Sequence, residues 1–130
     1  MPERLFKGEY KGLSVDELNR LEIPSPILTA LEFNDHAWRA QHPFEKRQKV
    51  YGLSPDHSIP LYLTNVLRNN TIKVMHISHL DDKVRRSYRR LYYRLLDNHH
   101  RLQLMGVDWQ QKTVDVIGEE YLFSIRVHNH

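Results

Sequence analysis

From Val114 to Val127 (VDVIGEEYLFSIRV) apolar and polar residues alternate, and no other stretch constrains this chain more. Successive side chains on a strand point to opposite faces, so the pattern makes one wet face and one that must be covered. In Ile117-Gly118-Glu119-Glu120 the glycine takes the first loop position of a two-residue II′ hairpin. That register pairs Val116 with Tyr121 and Val114 with Phe123, and Ile125 and Val127 join the same face. Extended back across Gln110-Gln111, it pairs Val107 with Val114 and Met105 with Val116. A three-stranded antiparallel meander is therefore expected over 105–127. Its far face (Asp108, Thr113, Asp115, Ser124, Arg126) is polar, and Leu122 is the exception.

The cover is expected from a long helix. Neither proline nor glycine occurs between Pro60 and Gly106, so this stretch permits an unbroken element. Ser78 is the candidate cap, with Asp81 and Asp82 in the first turn, where the helix dipole favours anions. At 100° per residue Leu80, Val84, Tyr88, Leu91, Leu95 and Leu102 share one stripe, and the helix is expected to run to about His99. Upstream, Ser14 and Glu17 form a capping box, with Leu13 and Leu18 as a hydrophobic staple, for a helix over 15–22. Ser25-Pro26 starts a second helix whose Ile27, Leu31, Asn34 and Trp38 share a face. A third runs from Pro43 to near Gly52. Residues 58–69 fit helix or strand, and helix is favoured; 72–77 (IKVMHI) reads as a strand. SPILTAL and IPLYLTNVL resemble each other only loosely, so no repeat is expected. The fold class is α+β in a single domain, 1–130, with a Pro/Gly-punctuated helical part over 1–60 and a helix plus antiparallel sheet over 61–130. Trp38 and Trp109 are expected in the core.

Composition narrows the function. With no cysteine there is no disulfide, thiolate nucleophile or Cys-ligated metal site, which suits a reducing cytoplasm. The first residues lack the apolar core of a signal peptide, and no apolar run approaches a bilayer span. A cytoplasmic protein without membrane contact is expected. The formal charge is +3, and Lys83–Arg94 (KVRRSYRRLYYR) carries six basic residues and no acid.

On the expected helix, Lys83, Arg86, Arg90, Arg94 and Arg101 lie opposite the apolar stripe. Guanidinium groups four residues apart can follow a phosphate backbone, with Arg85 and Arg89 flanking and Tyr93 able to stack on bases. The leading reading is a non-enzymatic nucleic-acid-binding protein, against which stands a plain solvated helix face. The alternative is an adaptor or inhibitor docking an acidic protein, and a homodimer through an edge at 105–109 or 121–127 is a further option. A third reading, a metal-dependent hydrolase, would use His76, His79 and Asp81, a short ligand set. No GxGxxG, Walker A, GxSxG or HExxH pattern occurs, and no cofactor is implied.

Overall fold

A computed structural model of the chain describes residues 4–42, 59–66, 70–80, 82–88 and 90–128. In chain order these form β1 (Glu9–Ser14), β2 (Arg20–Glu22), α1 (Ser25–Gln41), β3 (Pro60–Val66), β4 (Thr71–His76) and a 3-10 turn (Ile77–His79). There follow α2 (Asp82–Ser87), β5 (Tyr92–Leu95), β6 (Arg101–Gln103), β7 (Thr113–Glu119) and β8 (Leu122–Val127). Six strands make one antiparallel sheet in the order β1-β7-β8-β4-β3-β5, and β2 and β6 make a separate antiparallel pair. The class is α+β, with one main helix among the described residues.

The C-terminal hairpin forms, with its turn two residues later than expected. Glu119 pairs with Leu122, Val116 with Ile125 and Val114 with Val127. A displacement by two keeps every side chain on its face. Val114, Val116, Phe123 and Ile125 are accordingly all fully buried together. Gly118 therefore lies inside β7 and not in the turn. A Cβ there would stand 2.9 Å from the Phe6 carbonyl carbon and the Lys7 nitrogen, which cross it closely.

Four expectations fail. The third strand of the meander is β1, which pairs Tyr10 with Val116 and Leu13 with Val114. Residues 105–109 are not a strand, and the Trp109 N–H donates to Asn19 Oδ1 at 3.0 Å. Residues 15–22 form a turn and β2, because the Asp16 carboxylate captures the N–H groups of Leu18 and Arg20 at 2.9 and 2.8 Å. Residues 60–66 are strand β3, whose Leu61 and Leu63 are buried completely. The long helix is the largest departure: a 3-10 turn and six residues of α2 give way to β5. Tyr92–Leu95 pairs with Pro60–Leu63, and aromatic and apolar strand formers with a sheet edge to join override a helical period. The homodimer edges fall with these corrections, since β8 is flanked by β7 and β4. The helix expected from Pro43 lies outside the described residues.

Helix α1 is as expected: Ile27, Leu31, Asn34 and Trp38 are its buried stripe, together with Ala30 and Asp35. Its cap differs, since Pro24 occupies that position and no side chain caps the helix. Ile27, Ala30 and Leu31 join Leu61, Leu63, Ile72, Val74, Val114, Val116, Phe123 and Ile125 in the main core. Each of the Ile, Leu, Val and Phe side chains among them stabilises by about 1.5–3 kcal/mol on burial. Trp109 is in this core, whereas Trp38 forms a smaller cluster with Ile77, Tyr62, Tyr93 and Leu95. No helix among the described residues is long and apolar enough to cross a membrane.

The β2–β6 pair shows a repetition that the sequence reading missed. Asp16-Glu-Leu-Asn-Arg-Leu-Glu-Ile23 and Asp97-Asn-His-His-Arg-Leu-Gln-Leu104 fold alike. Asp97 Oδ1 accepts the His99 and Arg101 N–H groups, both at 2.8 Å, just as Asp16 serves Leu18 and Arg20. Each Asp also pairs through Oδ2 with the Nε of its arginine, at 2.8 Å for Arg20 and 3.1 Å for Arg101. Asn19 and His100 adopt matching left-handed conformations, φ 62 and 61°. The exchange is reciprocal: Ile23 N–H reaches His100 O at 3.0 Å and Leu104 N–H reaches Asn19 O at 2.9 Å. Leu21 faces Leu102 at the centre, both buried.

Gly118→Ala tests the close crossing. The added methyl meets main chain rather than a movable side chain, so a loss of roughly 1–3 kcal/mol is expected. Urea unfolding would show a lower midpoint with an unchanged slope.

Candidate nucleic-acid interface

The basic run survives the loss of its helix, on a different scaffold. Between β4 and β5, which lie on either side of β3, the chain crosses over through the 3-10 turn and α2. Along this crossover Lys83, Arg85, Arg86 and Arg90 are all exposed. None of the four forms an ion pair among the described residues, and Arg90 Nη1 has only the Tyr92 hydroxyl at 3.4 Å. By contrast Arg20, Arg39 and Arg101 each hold a carboxylate within 3.1 Å, whereas Arg4 lies over the Phe33 ring. Even Lys11, Lys73 and Arg126 have carboxylates at 3.5–3.9 Å.

Two expected members turn away from this surface. Arg94 sits half-buried on β5, donating to Tyr93 O at 2.9 Å and lying 3.1 Å from Met105 Sδ. Tyr93 packs against Tyr62, with ring centroids 5.3 Å apart, beside the Trp38 cluster. Alternation along a strand explains both, because neighbours that share a helical flank are thrown to opposite sides. Arg89 lies outside the described residues.

The histidines are employed differently from a metal site. His76 is 2 % exposed, and its Nε2 lies 2.9 Å from Asp35 Oδ1. Its Nδ1 accepts the Ser78 N–H at 3.0 Å and lies 2.8 Å from the Ser78 hydroxyl. Since the main-chain donor requires a lone pair on Nδ1, the ring carries its proton on Nε2 and donates it to Asp35. Both nitrogens are thus occupied. His79 stacks on Tyr121, and Asp81 lies outside the described residues. No group of three His, Asp or Glu among the described residues is placed to hold a metal ion.

Ser78, His76 and Asp35 fall in the order of a nucleophile relay, but the hydroxyl and N–H of one serine converge on one ring nitrogen. That is the arrangement of a cap, and it closes the 3-10 turn. Arg39 Nε grips the other Asp35 oxygen at 2.6 Å, and the Trp38 ring stands edge-on to His76. Together they tie the C-terminal half of α1 to the end of β4, where the crossover begins. Beside this tie lies a cleft of about 880 Å³ with an apolar floor of Ile59, Leu95 and Leu96, rimmed by Glu32, Arg39 and Asp97.

Three aspartates are held below the usual carboxylate range. Burial alone would raise each, but their hydrogen bonds outweigh it. Asp16 has the Arg20 and Leu18 N–H groups and the Arg20 guanidinium; Asp97 has Arg101 and His99. Asp115 has the Gly12 N–H, which a β-bulge turns out of the ladder, then His128 and Arg126. No known protein-family model matches the chain, and no curated protein matches it either.

Two outcomes are expected. Asp35→Ala removes the acceptor of the buried His76 Nε2–H and one contact of the half-buried Arg39, and lowers stability by about 2–4 kcal/mol in denaturant titration. Asp16, Asp97 and Asp115 titrate lower in the folded state than in the unfolded one. Their stabilisation is therefore full above the unfolded-state value of 3.8 and is lost as pH falls through the folded values. Asp16→Asn with Asp97→Asn should flatten the acid limb of a thermal-stability profile.

Proposed function

We propose that the protein binds nucleic acid through the exposed crossover segment Lys83, Arg85, Arg86 and Arg90. The carrying observation is that none of the four has a carboxylate partner among the described residues, where Arg20, Arg39, Arg101 and Arg126 each have one. Unpaired surface cations repel one another, and a polyanion relieves that repulsion while releasing its own counterions. Arginine's fixed fork of donors suits phosphate oxygens better than a point charge would. The six-residue helix α2 and the turns around it present these groups close together in sequence, without a groove-filling rod. Contacts of this kind are to the backbone of the ligand and set affinity more than sequence preference.

Four phosphate contacts give a slope of log K against log[salt] of about −3 to −4. Fluorescence polarisation with labelled oligonucleotides over a salt series measures it. Replacing Lys83, Arg85, Arg86 and Arg90 together by alanine should remove most of the affinity and flatten the slope. These side chains are exposed, so the unfolding midpoint should stay put. Undetectable binding at low salt, or an unaltered slope in the fourfold variant, would refute the reading.

A further inference from the structure

The turn between β7 and β8 brings an aromatic platform to the basic segment. Tyr121 is 37 % exposed, one of few large apolar side chains so placed among the described residues. Its ring stacks on His79 with centroids 5.2 Å apart and planes 28° from parallel. His79 precedes Lys83 by four residues, so their Cα atoms lie within roughly 14 Å of each other. Two features distant in the chain, a presented ring and a run of unpaired cations, therefore share one end of the molecule.

An exposed ring backed by a second ring offers a flat surface whose orientation is already fixed, so little freedom is lost when something stacks on it. Bases inside a duplex are stacked on both sides already and offer only their edges. An unpaired strand offers ring faces and a flexible backbone. Resting on the nucleic-acid reading above, we infer that the ligand is single-stranded, with a base stacked on Tyr121 and His79. Its phosphates then follow Lys83, Arg85, Arg86 and Arg90. Stacking serves any base, so little sequence preference accompanies this contact.

The test compares labelled oligothymidylate, oligouridylate and a duplex, each of about twelve nucleotides or base pairs, at one salt concentration. Either single strand should bind more tightly than the duplex. Tyr121→Ala should weaken single-strand binding by roughly five- to one-hundred-fold, leaving the salt slope unchanged because no phosphate contact is lost. Tyr121→Phe, which keeps the ring, should bind like the parent protein. Binding of duplex as tight as that of the single strands, or full affinity in Tyr121→Ala, overturns this inference and leaves the nucleic-acid reading standing. Absence of binding to all three ligands overturns both.

Discussion

Strand β4 is the seam on which the rest of the molecule depends. It pairs on one side with β3 from Leu61 to Val66 and on the other with β8 from Leu122 to Arg126. Without it the sheet would separate into a three-stranded piece, β1-β7-β8, and a two-stranded one, β3-β5. Its own Ile72, Val74, Met75 and His76 are all buried, so the strand is covered on both faces. That also explains why its last residue can carry the tie to α1. An imidazole and a carboxylate are placed together deep in the protein only where each satisfies the other.

Much of this was legible where a single local rule decided the outcome. The period-two pattern of Val114–Val127 predicted the right buried face despite a misplaced turn, because a displacement by two leaves parity intact. The stripe of Ile27, Leu31, Asn34 and Trp38 predicted α1, and the β-branched run at 72–77 predicted β4. Failure came where two rules competed. Leu80, Val84, Tyr88, Leu91 and Leu95 do fall at helical intervals, yet the same stretch includes Tyr92-Tyr93, which favour strand. Pairing with β3 decided between them, and a partner thirty residues away in sequence is invisible to local pattern reading. Ser14 and Glu17 satisfied the rule for a helix start, while Asp16 held the chain in a turn that the same residues also permit.

The candidate surface was legible as composition and not as geometry. Four of the basic residues remain outward, and none of them has an ion pair among the described residues, although Asp82 opens the same helix. Arg94 was lost to the alternation of β5. Tyr121 was expected to face inward and instead stands at the turn, a consequence of the same two-residue displacement. The twin Asp–Arg turns could have been found in the sequence. Asp-x-x-x-Arg-Leu occurs at Asp16 and again at Asp97, but the residues between the ends differ and hide the likeness.

Those twin turns have a consequence for how the chain is built. β1 adds to the hairpin of β7 and β8, β5 adds to that of β3 and β4, and β2 must wait for β6. The first two strands thus depend on partners made much later, whereas β3, β4 and β5 are consecutive and join one another. On a ribosome β1 stays unmatched until β7, about a hundred residues later, has been made. Assembly is therefore a late, concerted event dominated by distant pairings, which is the slow regime for a chain of this size.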